Sequence, residues 1–172
     1  HTELALFYPD TIVKVPLDIR GQITKIRETE VHHVSHQALL LNGSPMSYGY
    51  FKLDNESRAY FLTKIPQIQD PLLRGAAWMA LFEDCLHQRV TPAVLLEAIL
   101  KALPTEQEPL NRQQLLSYLQ TLYWRFSSDT VRADLAPRVE ELLWHLLEKA
   151  DNGGARTAYY NAYESMAISE AG

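Results

Sequence analysis

The hydrophobic pattern of this chain changes period partway along, and that change limits its folds more than any other feature. Residues 11–19 read Thr-Ile-Val-Lys-Val-Pro-Leu-Asp-Ile. Val13, Val15, Leu17 and Ile19 fall on one face, with Lys14, Pro16 and Asp18 on the other, the period of two of a half-buried strand. From Asp70-Pro71 onward apolar residues recur at helical spacing instead. Residues 42–89 hold the changeover: an aromatic strand around a glycine (residues 48–53, with Tyr48-Gly49-Tyr50-Phe51), a charged turn, then a helix. The sequence therefore predicts an α+β chain with strands first and helices after: a small antiparallel β-sandwich over 1–54 and an α-helical region over 55–172.

The strand half is read as follows. Tyr8-Pro9-Asp10 is a turn. Pro16 cannot donate to a ladder, so its strand is expected at an edge or bulged. Residues 22–27, 30–34 and 38–41 are further strand candidates, and Asn42-Gly43-Ser44-Pro45 is the strongest turn signal.

In the helical half, residues 55–58 lead into a short helix through Tyr60, Phe61, Leu62 and Ile65, stopped by Pro66. Asp70-Pro71 and Thr91-Pro92 each pair a capping side chain with a proline suited to the first turn. The helix after Asp70 places Leu73, Ala77, Ala80, Leu81 and Asp84 on one side and Trp78, Phe82 and Cys85 on an adjacent one, the pattern of a helix buried between neighbours. Leu95, Leu96, Ile99, Leu100 and Leu103 form the next apolar face, ended by Pro104. Leu115, Leu119, Leu122 and Phe126 mark another, broken at Ser128-Asp129. Val131, Leu135, Val139, Leu142, Leu143, Leu146 and Leu147 mark the next. Pro137 inside it predicts a kink or a helix starting there. Asn152-Gly153-Gly154 is a stop, and a last helix carries Tyr159, Tyr160, Tyr163 and Met166. Helices in pairs with short turns suggest a HEAT/armadillo-like array of antiparallel pairs, although no strict sequence period is found. Tyr118, Tyr123, Trp124 and Phe126 are expected in the core.

Composition narrows the function classes. The 172 residues are 47% hydrophobic and 22% charged, with net charge −5, which is ordinary for a globular domain. No basic stripe is present, so nucleic acid is not an expected partner. No apolar run approaches the roughly 20 residues of a membrane span. His1 in first position is expected of a fragment or processed product. The single cysteine, Cys85, excludes an internal disulfide and a cysteine-based zinc cluster, and it is expected in the core. His32 and His36 have the i,i+4 spacing of zinc ligands, but that spacing works only on a helix. His33 stands where an HExxH motif has Glu, and the segment reads as strand and turn. These histidines are expected as solvated residues. No Ser/His/Asp or Cys/His arrangement points to a stand-alone enzyme.

Asn42 and Gly49-Tyr50-Phe51-Lys52-Leu53-Asp54 follow the order of a segment in zinc aminopeptidases of the aminopeptidase N type: Asn, a turn, Gly, two aromatics, Arg, an aliphatic residue, an acid. Lys52 stands in place of the usual Arg. The family opens its helical domain with an Asp-Arg pair; Arg74 matches the Arg, Leu73 stands where the Asp is usual, and Asp70 lies one turn earlier. Helix pairs after this point, with Pro92 at a helix start, also resemble the family. The resemblance covers nearly the whole chain but only the rear of the family's architecture.

It implies a module of a metallopeptidase that removes N-terminal residues from peptides. In such enzymes the helical domain forms a bowl over zinc held by an earlier domain, where HExxH and a more distant Glu carry the chemistry. None of that motif lies in these residues. No catalytic or metal-binding residue is therefore assigned, no cofactor is expected in this chain, and zinc is implied for the parent enzyme only. The implied partners are the N-terminal and catalytic domains of the parent chain and peptide substrates. The other expectation is a helical-repeat interaction scaffold, related to the aminopeptidases but without catalysis.

Overall fold

Thr2–Phe7 (β1) and Ile12–Leu17 (β2) form an antiparallel hairpin in the computed structural model, which describes residues 2–19, 36–43 and 49–169. Its turn closes where the Tyr8 N–H donates to the Thr11 carbonyl at 2.9 Å, at the expected Tyr8-Pro9-Asp10. Ala38–Leu40 (β3) pairs antiparallel with the other side of β1, giving the order β2-β1-β3. Pro16 thus sits on an edge strand, as its missing N–H requires. The central strand β1 is absent from the sequence expectations. Leu4 and Leu6 join Val15 and Leu17 in one core cluster, while Phe7, from the opposite face, packs edge-on against Phe61 at 5.2 Å. A strand buried on both faces loses the alternation that would reveal it.

The expected strand over 48–53 is corrected: Gly49 to Leu53 run without strand structure. Gly49 has φ +156°, a backbone conformation that other residues rarely adopt. The Leu53 carbonyl is taken by arginine side chains rather than by a ladder. The strands expected over 22–27 and 30–34 lie outside the described residues.

The helices are Asn55–Lys64 (α1), Pro71–Leu86 (α2), Pro92–Ala102 (α3), Pro109–Arg125 (α4), Asp129–Glu148 (α5) and Gly153–Met166 (α6), with 3₁₀ turns at Ile65–Gln67 and Leu103–Thr105. Their starts follow the capping chemistry. Asp70 accepts from the Leu72 N–H at 2.9 Å, and Thr91 accepts from the Val94 N–H at 3.4 Å. Ser128, expected as a breaker, caps α5, and Asn152, expected as part of a stop, caps α6. Pro137 neither starts α5 nor ends it. Pro137 and Ala133, whose carbonyl loses its helical donor, are both exposed, so water can serve that carbonyl. The expected aromatic core is corrected too. Tyr123 is buried, but Trp124 is 42% and Phe126 43% exposed.

The described residues thus form an α+β protein with one three-stranded antiparallel sheet and six α-helices. Two compact units divide it, His1–Arg89 and Val90–Gly172. The division falls after α2, so α1 and α2 group with the strands rather than with the later helices. In the first unit α1 packs on β3 and α2, and the Ser57 hydroxyl accepts from the Leu39 N–H at 2.9 Å. In the second, α3 packs on α4, and α6 packs on both α4 and α5. Leu95, Ile99, Leu115, Leu119, Val139 and Leu143 are among its buried residues, each stabilising by about 1.5–3 kcal/mol relative to exposure.

Candidate functional site

Helix α2 carries one acidic residue into the core of the first unit. Asp84 follows Leu73, Ala77 and Leu81 on the buried stripe and is 0% exposed. A bare carboxylate there would cost several kcal/mol, so partners must meet it. Three do. The Arg58 Nε donates to Oδ2 at 2.9 Å and the Tyr50 hydroxyl donates to Oδ1 at 2.9 Å. The Arg89 Nε lies 3.1 Å from Oδ1 without hydrogen-bond geometry, a purely electrostatic contact.

Local structure explains why these partners converge. The Asp54 carboxylate starts α1 by accepting from the Ser57 N–H at 2.9 Å and the Ser57 hydroxyl at 2.6 Å, which sets Arg58 in the first turn. Desolvation raises the Asp54 pKa, but the bonds from Ser57 outweigh it and leave the pKa below the usual carboxylate value. At the far end of α2, Gln88 turns the chain with φ 60°, and the Arg89 N–H returns to the Asp84 carbonyl at 2.8 Å. This is a left-handed C-cap with Gln where Gly is usual. Arg58 and Arg89 both also donate to the Leu53 carbonyl. Residues 50–53 are thereby held on α2 without belonging to the sheet. The Tyr50 ring stacks on His87 at 4.0 Å, and burial followed by the Asp84 bond raises the Tyr50 pKa.

The residues singled out from the sequence separate into three groups. Asn42, Gly49, Tyr50 and Phe51 come together with Ala76, Met79, Ala80 and Glu83 of α2 around a cavity of about 310 Å³. Next to Asn42, Gly43 lies close against β1, where a Cβ would come within 3.1 Å of the Glu3 carbonyl oxygen and 3.2 Å of the Ala5 Cβ. Asp54 is the α1 cap. Asp70 and Arg74 serve the start of α2. Asp70 caps it and pairs with Lys14 at 2.9 Å, and Arg74 donates to the Ile68 and Gln69 carbonyls at 2.8 and 3.0 Å. Lys52, the departure from the family pattern, is exposed and does not line the cavity. Arg58, Arg89 and Glu83 were not foreseen. The signal available was Asp84 itself, a lone acid on an apolar helix stripe that requires a cation.

The second unit has a larger opening. Leu116, Ser117 and Gln120 of α4 face Ala155, Ala158 and Ala162 of α6 across a groove of about 580 Å³. Small residues on α6 leave the space. The Gln120 amide donates to the Ser165 hydroxyl at 2.6 Å, and the Trp124 indole donates to the Ser165 carbonyl at 3.1 Å, tying the two helices together. Arg112, also lining the groove, is buried with its guanidinium 5.6 Å from the Tyr159 ring.

His36 is half-buried; His32 and His33 lie outside the described residues. Among the described residues no three His, Cys, Asp or Glu side chains are grouped to hold a metal ion. Cys85 is buried, and desolvation raises its thiol pKa, which makes it a poor nucleophile. No described helix is long and apolar enough to cross a membrane.

Together these features define an α+β protein with a strand–helix unit organised by a buried ion cluster and an all-helical unit with an open groove. No protein-family model and no curated protein matches the chain.

Proposed function

We propose that this chain is the non-catalytic C-terminal portion of a zinc-dependent aminopeptidase: the small β-sandwich and the start of the HEAT/armadillo-like helical array. The observation that carries the reading is the meeting of Asn42 with Gly49, Tyr50 and Phe51 on α2. Asn42 is separated from Gly49 in sequence, and these four residues are part of the pattern on which the resemblance to the aminopeptidases rests; its other members, Lys52, Leu53, Asp54 and Arg74, do not line the cavity. In the parent protein this portion walls off the reaction cavity, excludes folded proteins and contacts the far end of a peptide, while zinc and HExxH lie in an earlier domain. Two measurements test this. The purified chain should release no amino acids from aminoacyl-p-nitroanilides. The coding sequence upstream of His1 should contain HExxH followed by a more distant Glu; an upstream sequence without them sinks the enzymatic reading.

The α4–α6 groove supports a second reading, a helical-repeat interaction scaffold related to the aminopeptidases but without catalysis. Its mostly small walls suit an extended peptide or a helix. A stable protein partner captured by a parent chain lacking HExxH favours this reading over the first.

A further inference from the structure

The chain holds two Asn-Gly pairs, Asn42-Gly43 and Asn152-Gly153, and the fold treats them differently. In such a pair the glycine nitrogen is well placed to attack the preceding side-chain amide, because the missing Cβ lets the peptide rotate toward it. Ring closure needs a free glycine N–H and room for that rotation. Gly43 has neither: its N–H donates to the Glu3 carbonyl at 2.7 Å, it lies close against β1, and Asn42 is 6% exposed. Gly153 has both. It is the first residue of α6, where a backbone N–H has no acceptor within the helix. It is exposed, and apart from its own helix and chain neighbours nothing lies within 4 Å of where a Cβ would stand. Asn152 is exposed as well. Its Oδ1 accepts from the Ala155 N–H at 2.8 Å, and its Nδ2 donates to the Asp151 carboxylate at 2.7 Å. These bonds belong to the first turn of a helix, which opens far more readily than a sheet does.

We propose that Asn152 is a site of spontaneous deamidation and that the sheet shields Asn42 from the same reaction. The proposal does not depend on an aminopeptidase parent. The Gly153 nitrogen loses its proton to solvent base and bonds to the Asn152 Cγ, and Nδ2 leaves as ammonia. Water then opens the cyclic imide. Attack at Cγ breaks the new bond and gives aspartate. Attack at the Asn152 backbone carbonyl carbon gives isoaspartate, with the chain running on through Cγ. The net change is amide plus water to carboxylate plus ammonia. The products differ in effect. Aspartate keeps an acceptor for the Ala155 N–H and adds negative charge at the helix start, where it is favourable. Isoaspartate carries its carboxylate on Cα and lengthens the backbone, so the cap is lost. That loss falls on the wall of the α4–α6 groove, which Asn152, Gly154 and Ala155 line.

The test ages the full chain in mildly alkaline buffer, with and without denaturant, and follows tryptic peptides 28–52 and 150–156 by mass spectrometry. In the folded chain Asn152 should convert at least about tenfold faster than Asn42, and in denaturant the two should convert at similar rates. Gly153→Ala should slow the reaction at Asn152 about tenfold with the circular dichroism unchanged. Amide exchange at Ala155 should be faster in the isoaspartate form, separated by ion exchange, than in the unmodified chain or in Asn152→Asp. Conversion of Asn152 in denaturant only, equal conversion of both asparagines in the folded chain, or an unchanged rate in Gly153→Ala would each overturn the proposal. Unchanged Ala155 exchange in the isoaspartate form would overturn the loss of the cap.

Discussion

Asp84 in the first unit and Glu140 in the second are both buried carboxylates, and they are satisfied in different ways. Asp84 in the first unit is met by two guanidinium groups and a phenol. Glu140 in the second is buried at α5 and is met by uncharged donors: the Ile168 N–H at 2.8 Å, the Ser169 N–H at 3.0 Å and the Ser169 hydroxyl. The contrast follows from what each carboxylate must hold. Asp84 gathers elements that share no ladder: the loop at Tyr50, α1 and the end of α2. Long arginines can reach across such gaps. Glu140 latches the short run that follows α6, and backbone N–H groups suffice because the segment lies directly against it. Loss of the first strands cations; loss of the second leaves neutral amides.

The largest effect is therefore expected at Asp84. Asp84→Ala should destabilise the first unit by about 3 kcal/mol, the low end for a broken buried pair. The low end applies because the Arg58 and Arg89 side chains are 16% and 22% exposed and can recover some water. Denaturant unfolding followed through Trp78, buried in the first unit, measures this. A loss below about 1 kcal/mol would mean that the arginines relax fully into solvent, and the contrast with Glu140 would disappear.

Glu140→Ala comes next, at about 1–3 kcal/mol, because its donors are neutral and Ile168 and Ser169 can turn to water. Released protection of the Ile168 and Ser169 amides in hydrogen exchange is the local readout. Acid sharpens the comparison. Desolvation raises the Glu140 pKa, but the bonds from Ile168 and Ser169 outweigh it, so the folded value lies below the unfolded one. Its contribution is then complete above the unfolded carboxylate value of about 4 and is lost as pH falls through the folded value. Glu140→Gln should flatten the acid limb of stability for the second unit. An unchanged acid limb would show that the latch does not form in solution.

The two units also differ in how far their sequences disclosed them. Apolar spacing and caps such as Thr91 and Asp70 announced α2 to α6, because a helix is specified by neighbours three and four residues away. Pro16 announced an edge by what it lacks. The central strand β1 stayed hidden because Leu4, Leu6, Ala5 and Phe7 are buried on both faces. The segment 49–53 misled because Tyr50 and Phe51 favour strands by propensity, while Arg58 and Arg89 had already claimed the Leu53 carbonyl. Of the candidate site, Asn42 and Gly49 to Phe51 were legible as a motif, and Asp84 was visible as an acid on an apolar stripe. Glu140 carries no local mark, since the Ile168 and Ser169 groups that meet it are brought near only by folding.

A smaller effect is expected where the Asp84 cluster depends on backbone strain. Gln88 holds φ 60° to deliver Arg89. A left-handed residue with a Cβ costs about 1–2 kcal/mol, and glycine returns about 0.5–1 kcal/mol of that through the unfolded chain. Gln88→Gly should therefore stabilise the first unit by somewhat less than about 1 kcal/mol in the same denaturant experiment. Destabilisation would show that the Gln88 side chain makes a contribution beyond the turn.

The smallest effect is expected from an ion pair that is exposed. Arg138 and Glu97 meet through two hydrogen bonds in the second unit, and the Arg138 contact lowers the Glu97 pKa, with burial opposing it. The side chains are 52% and 40% exposed, so water competes for both charges and salt screens them. Arg138→Ala should cost less than about 1 kcal/mol and less again in 1 M salt. The same two charge types meet at Arg138–Glu97 and at Arg58–Asp84, so burial is the variable that separates them. If Arg138→Ala cost as much as Asp84→Ala, desolvation would not be what makes the Asp84 cluster matter, and the number of hydrogen bonds would have to explain both.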